Sequence, residues 1–463
     1  MKQVFRLILI ILFLGYTSSI NAQISQQNKK DIEEKEQGIN PETGVLNLNK
    51  KEREQWFTSL GFGMFIHFSV DAQLGSVISH SLVGASDDYF NRYVNELPKT
   101  FNPDKFDAEQ WAQDAKMAGM KYAVFTTKHH NGFCMFDTKT TAFNIMNTPY
   151  GKDITKLFVD AFRKVGIAIG FYFSPEDFYF LKSQGNLVSR VRPETAASKN
   201  PALNEYAKKQ MKELMSNYGK IDIIFLDGID QYGMTELAKI CWSSNPDAVV
   251  TRGAMKTPEQ ATPKEPLPSP WEACYTLGHA WQYQPTNENY KSANTVIKKL
   301  IEIRAKGGNL LLNFGPDRRG SFPPEQWAVL NEISLWMFIN KEAMTNTTSC
   351  PVVRDDNVWY LQNKKAGVVY AFICEDGWKL GERKQIALPS IRSTDKTKVS
   401  VLGHNGKVLE YKPQVDPSPS IKSVAGGGSE MSVMRAQRIY DDRAWPNPIV
   451  VKMEGVSIGK NEK

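Results

Sequence analysis

Residues 152–175 read KDITKLFVDAFRKVGIAIGFYFSP, and this stretch decides the fold. Ile154, Leu157, Phe158, Ala161, Phe162 and Val165 recur at three- and four-residue intervals, which places them on one stripe of a helix. Gly166 supplies the stop, because glycine enters the left-handed conformation that ends helices without a Cβ clash. IAIGFYFSP (167–175) then runs almost wholly apolar, as a strand buried on both faces does. KYAVFTTKHH (121–130) is a strand of the same kind upstream. A strand, a crossover helix and a second buried strand make a parallel βαβ unit.

The alternation continues outward in both directions. GFGMFIHFS (61–69) reads as a strand. Ala108, Trp111, Ala112 and Ala115 define the face of the helix that follows it. Past residue 175, the NEYAKKQMKELMSNYG helix precedes the strand in IDIIFLDGID (221–230). A helix near 234–243, the strand DAVVTRG (247–253) and a Pro-rich loop come next. WEACYTLG, the helix SANTVIKKLIEIRAKGG, the strand NLLLNFGP and a long proline-started helix complete the series. Seven strands over about 280 residues predict an irregular (β/α)8-type, TIM-like barrel over 55–345, with one element irregular or missing. A doubly wound open sheet is the competitor. It would usually carry a Gly-rich phosphate loop after the first strand, and HFSVDAQLG is not one. From 346 to 463 the pattern changes to short strands between turn residues: NVWYLQ, AGVVYAFIC, KQIALPS, TKVSVLG, KVLEYKP and IVVKMEGV. These predict a C-terminal antiparallel β-sandwich.

The first 22 residues place Lys2 and Arg6 before an apolar run and end in small and polar residues at Ala22. That layout predicts a secretory signal peptide cut near Ala22–Gln23, and so a secreted or periplasmic protein. The apolar run at 7–15 is too short to span a bilayer, and no later segment reads as a membrane span. Residues 23–54 are polar and aperiodic and read as an N-terminal arm. The net charge of +7 over 463 residues is small, and no Lys/Arg-rich run or zinc-finger spacing occurs, so nucleic acid is not an expected partner. Five scattered cysteines, an odd number, give no disulfide framework.

In barrels of this kind the chemistry sits at the C-terminal ends of strands. Those ends supply His67, Lys128-His129-His130, Tyr172 with Glu176 and Asp177 beyond it, Asp227, Arg252 and Glu272. Each has a plainer reading. Asp227 before Gly228 is also a turn signal. The histidines could be satisfied core residues, Glu272 a surface acid, and Arg252 a structural partner of Asp227. Together they exceed what a packed core needs. Adjacent His129 and His130 would point to opposite faces of a regular strand, and HExxH is absent, so neither a metal nor another cofactor is expected. Two carboxylates without a metal suggest glycoside hydrolysis, with Trp271, Trp281, Tyr283 and Tyr172 available to stack on sugar.

GFGMFIHFS, FNPDKFDAEQWAQDAKMAGMKYAVFTTKHHNGFCMFDT, DITKLFVDAFRKVGIAIGFYFS, LMSNYGKIDIIFLDG and GGNLLLNFGPDRRG resemble, in order, the α-L-fucosidases of glycoside hydrolase family 29. RAQRIYDDRAWPNPIVV resembles the end of that family's β-sandwich. The resemblance implies a retaining exo-α-L-fucosidase acting on fucosylated glycans. It implies Asp227 as nucleophile and Glu272, 45 residues on, as acid/base, with their carboxyl groups about 5–5.5 Å apart. It implies His67, His129, His130, Tyr172, Arg252 and Trp281 as sugar-site residues. If Glu272 does not serve as acid/base, the loop acids Glu176 and Asp177 are next in line. Three departures stand out. Phe225 and Leu226 replace a more usual Trp before the nucleophile, and KHHNGF replaces KHHDGF. SHSLVGASDDYFNRY stands where the family's Gly-Glu-Trp segment is expected, so His80, Asp87 or Asp88 become candidate substitutes. This last change keeps an α-L-galactosidase on the same scaffold as the alternative. A non-catalytic sugar-binding protein is the second alternative.

Overall fold

The computed structural model describes residues 43–189, 193–286, 288–437, 439 and 444–459. The signal-peptide reading therefore falls outside the described residues.

Seven parallel strands form one curled sheet. They are β1 (Phe62–Ile66), β2 (Tyr122–Lys128), β3 (Ala168–Phe173), β4 (Ile223–Leu226), β5 (Val249–Val250), β6 (Glu272–Thr276) and β7 (Asn309–Phe314). Their order is β5-β4-β3-β2-β1-β7-β6. Side chains alternate between two cores, as the two-residue period of a strand requires. Met64 and Ile66, Ala123 and Phe125, Ile169 and Phe171, and Ile224 and Leu226 join the core under the outer helices. Phe65, Tyr122, Val124, Tyr172, Ile223, Phe225, Cys274 and Leu311 fill the concave interior. The same alternation carries His67 and Asp227 inward, two residues beyond Phe65 and Phe225.

Among the described residues no eighth regular strand joins β5 to β6. Residues 252–260 run along β6 instead, through isolated parallel bridges of Lys256 with Trp271 and Glu259 with Cys274. Prolines at 258, 263, 266, 268 and 270 deny this segment a continuous donor ladder.

From Thr43 onward, the N-terminal arm is more ordered than its composition predicts. Thr43 Oγ1 donates to Gly253 O at 2.6 Å, and a helix spans Lys51–Leu60. From that helix, fully buried Phe57 packs edge-on against Tyr122, with ring centroids 5.4 Å apart, and closes the floor of the sheet. Tyr122 in turn fits only because residue 63 is glycine; a Cβ there would sit 2.4 Å from its ring.

The C-terminal region, from Thr348 on, has a five-stranded and a three-stranded antiparallel sheet, with two shorter ribbons. Val369, Phe372 and Val451 of the larger sheet share a core with Leu388, Met431 and Val433 of the smaller. KVLEYKP, read as a strand, is a loop: Val408 and Tyr411 are exposed, and Glu410 has a positive φ. No helix of the described residues is long and apolar enough to cross a membrane.

Candidate active site

A pocket opens at the C-terminal ends of the strands, where barrels of this kind carry their chemistry. Phe65, Phe225, Cys274 and Trp281 line it with apolar surface. His67, Ser79, His129, His130, Tyr172, Asp227, Arg252 and Glu259 supply the polar surface.

Asp227 follows directly on β4, and its N–H donates to Phe173 O at 3.1 Å. Tyr172 Oη donates to Asp227 Oδ2 at 2.5 Å. His130 Nε2 lies 3.3 Å from the same oxygen, and Arg252 Nε lies 3.3 Å from Oδ1. Burial alone would push this carboxyl up. Arg252, with His130 and His129, outweighs burial and holds it well below the usual carboxylate range. Asp227 is therefore ionised at every working pH.

The histidines have defined polarity. Asn313 Nδ2 donates to Trp281 O at 2.6 Å, which leaves Asn313 Oδ1 facing His67 Nδ1 at 2.6 Å. An amide oxygen only accepts, so His67 carries its proton on Nδ1 and offers Nε2 as an acceptor. Burial pushes the His67 pKa down to about 3, so the ring stays neutral. His129 has the opposite tautomer. Its Nδ1 accepts from His130 N at 2.9 Å, so its proton sits on Nε2. The His67 and His129 rings are 5.5 Å apart. One acceptor and one donor at this spacing suit a hydroxyl, which both donates and accepts. Ser174 Oγ donates to Glu176 O at 2.9 Å and so accepts from His130 Nδ1 at 2.6 Å.

One nitrogen or oxygen from each of His129, His130 and Asp227 lies within 4.8 Å of the others, a spacing that could hold a metal. Here Arg252 already places a permanent positive charge on Asp227, and that opposes a cation.

The structure gathers His67, His129, His130, Tyr172, Asp227, Arg252 and Trp281 onto one pocket. It does not bring Glu272 there. Glu272 begins β6 and pairs with Asn309, the first residue of β7, at the opposite end of the strands from Asp227. Its Oε2 accepts from Tyr122 Oη at 2.6 Å. Tyr122 is level with Ala168, and Gly170 with Ile223, which puts Ile221 at the level of Tyr122. Ile221 lies six residues before Asp227 along the chain, and Glu272 is not among the residues that line the Asp227 pocket. Glu272 therefore does not share a pocket with Asp227, as the two carboxylates of a retaining pair must. The physical reason was legible: strand-end chemistry belongs to C-terminal ends, and Glu272 starts its strand.

The other candidate acids are also occupied elsewhere. Glu176 is buried behind His130, 3.3 Å from Nδ1. Asp177 pairs with fully buried Lys128 at 3.0 Å and caps the helix Phe178–Ser183. Asp87 pairs with Lys182, and Asp88 with Arg92, both on the surface.

Glu259 and Ser79 are the polar pocket residues that sequence reasoning missed. Glu259 sits in an aperiodic, Pro-rich segment, seven residues after Arg252, with only its position past a strand end to signal it. Glu259 Oε2 lies 3.0 Å from Arg252 Nη1. Ser79 lies in the unusual segment after β1, with its Oγ 2.9 Å from the Nδ1 of exposed His80. Ser79→Ala should lower kcat/KM roughly 5- to 10-fold, the worth of about one hydrogen bond. Kinetics that do not change would remove Ser79 from recognition.

Burial pushes the Glu272 pKa up to about 7 from an ordinary 4.5. The folded state thus holds a proton that the unfolded state releases near pH 4.5. Stability should fall as pH rises through that window, by about 3 kcal/mol in total. Glu272→Gln should remove this slope and unfold at higher denaturant than the wild type at pH 8. Denaturant titrations at pH 5 and pH 8 measure both effects.

Two carboxylates flanking one small pocket, beside donors and acceptors matched to hydroxyls, define a glycoside hydrolase. The sequence model for α-L-fucosidase matches residues 26–342, and the chain belongs to that family. It is 27% identical over 406 residues to an α-L-fucosidase of Dictyostelium discoideum, covering 78% of this chain and 85% of that one. It is 26% identical over 415 residues to the plasma α-L-fucosidase of Rattus norvegicus, covering 79% and 86%. Among solved structures, α-L-fucosidase isoenzyme 1 from Paenibacillus thiaminolyticus aligns with a TM-score of 0.69 at 27% identity, covering 87% of this chain and 99% of that one. An α-L-fucosidase from Vibrio sp. strain EJY3 aligns with a TM-score of 0.72 at 25% identity, covering 91% and 75%.

Proposed function

We propose that this chain is a secreted, exo-acting, retaining α-L-fucosidase with Asp227 as nucleophile and Glu259 as acid/base. The observation that carries this reading is that both carboxylates contact one guanidinium, that of Arg252, at one pocket. Asp227 is mostly buried and held ionised, as attack on an anomeric carbon needs. Glu259 is 37% exposed, so it stands toward the mouth, where a leaving oxygen would pass. In the first step Asp227 forms a bond to C1 while Glu259 gives its proton to the departing oxygen. In the second, Glu259 takes a proton from water as that water displaces Asp227. Tyr172 Oη and Arg252 orient Asp227 for both steps. A fucosidase from Bacteroides thetaiotaomicron has been trapped as a covalent intermediate with 2-fluoro-fucosyl fluoride, which agrees with this route.

Phe65, Phe225 and Cys274 close the pocket from within, so a chain-terminal sugar fits and an internal one does not. Their apolar surface suits the C6 methyl of L-fucose. An added hydroxyl would be rejected only modestly, on the order of 10²-fold. Rates on the nitrophenyl α-L-fucoside and α-L-galactoside test this: a faster L-galactoside would transfer the reading to an α-L-galactosidase. Secretion rests on the Lys2/Arg6 start and the small residues ending at Ala22. A mature protein beginning near Gln23 in the medium or periplasm is the expected result.

A further inference from the structure

We infer that Asn313 is a positioning residue that presets the hydrogen-bond polarity of the sugar site by fixing His67 as an acceptor and Trp281 in place with the two arms of one amide. The inference rests on the fucosidase reading for its substrate, but not for its geometry.

Asn313 lies on β7, level with Phe65 of β1 and Thr276 of β6. It is 2% exposed. Its Oδ1 is 2.6 Å from His67 Nδ1 and its Nδ2 is 2.6 Å from Trp281 O. Turning the amide over would set its oxygen against the Trp281 carbonyl, two acceptors face to face. The carbonyl therefore fixes the amide, and the amide fixes the histidine. The neighbourhood is built for this contact. Gly315 leaves room for the chain at 281–283; a Cβ there would meet Tyr283 N at 2.5 Å. Gln282, next to Trp281, is tied to buried Asp71 at 3.0 Å. Trp281 and His67 then stand with ring centroids 5.0 Å apart.

The consequence is a matched pair, His67 Nε2 accepting and His129 Nε2–H donating, before any sugar enters. An imidazole free to change tautomer would lose part of that preorganisation. Asn313→Asp keeps the size but puts a second acceptor against Trp281 O and an anion against His67 Nδ1. The charged and titratable groups already around His67 are Asp227, His130, His129 and Tyr172. None of them pairs directly with Nδ1, so the new carboxylate would dominate. It would draw a second proton onto the ring and turn Nε2 from acceptor to donor.

The test uses the full chain with ¹⁵N-labelled histidine, His67→Gln assigning the His67 signals. Long-range ¹H–¹⁵N spectra of the wild type should show His67 protonated at Nδ1 only, without titration from pH 5 to 9. Asn313→Asp should show it titrating in that window. The variant should lose roughly 10- to 100-fold in kcat/KM on a fucoside, mostly through KM, since a recognition contact is reversed. Asn313→Ala should show mixed tautomers and a smaller loss. A wild-type His67 protonated at Nε2 overturns the inference. So does a folded Asn313→Asp whose His67 signals match the wild type. A wild type that does not hydrolyse fucosides, with His67 still in the Nδ1–H form, fails the fucosidase reading and leaves the role of Asn313 standing.

Discussion

Replacing Asp227 by glycine is expected to lower kcat/KM on every α-L-fucoside by about 10⁴-fold or more, equivalent to about 5 kcal/mol of lost transition-state stabilisation. The expectation follows from what surrounds the carboxylate. Arg252, His130 and Tyr172 all converge on it. Removing it deletes the group that bonds to C1 and leaves a cationic pocket facing a developing positive charge. The loss should not depend on the leaving group, because attack itself is missing. Adding formate or azide should restore turnover, with the small anion taking the space of the carboxylate and giving an inverted product. The wild type should release its first product with retained configuration. Inverted product from the wild type would reject Asp227 as a nucleophile outright.

The second large effect separates two glutamates. Glu259→Gln should cost 10²- to 10⁴-fold on natural fucosylated glycans, the usual worth of a general acid. It should cost much less on an activated aryl fucoside, whose leaving group needs no proton. Azide should rescue it with retained configuration, since the covalent intermediate still forms. Glu272→Gln should leave kcat/KM within a few-fold of wild type and change only the dependence of stability on pH. Its raised pKa resembles that of a catalytic acid, but the cause is burial beside Tyr122, outside the pocket that holds Asp227. A perturbed pKa marks burial as readily as function. If Glu272→Gln proved the inactive variant and Glu259→Gln the active one, the assignment here would be reversed.

Much of the molecule was legible in the chain. The apolar stripes and runs located the helices and strands, because burial on one helical face or on both strand faces leaves a periodic trace. That trace also carried the site. His67, Tyr172 and Asp227 lie at strand ends, and the two-residue period aims His67 and Asp227 inward once their strands are known. Local sequence determined these residues because each depends on its own strand.

Glu259, Ser79 and Asn313 were decided by the tertiary structure alone. Glu259 reaches the pocket because residues 252–260 pair with β6 in place of a regular strand, a contact between segments that leaves no periodicity. Ser79 is placed by a loop held through Gln282 and Asp71, 211 residues apart. Asn313 matters through His67, 246 residues away. Glu272 shows the converse: composition offered an acid at a suitable distance along the chain, and strand register set it at the wrong end. Periodicity reports which face of an element is buried. Which buried groups meet is fixed by register and loop packing, and those depend on distant parts of the chain.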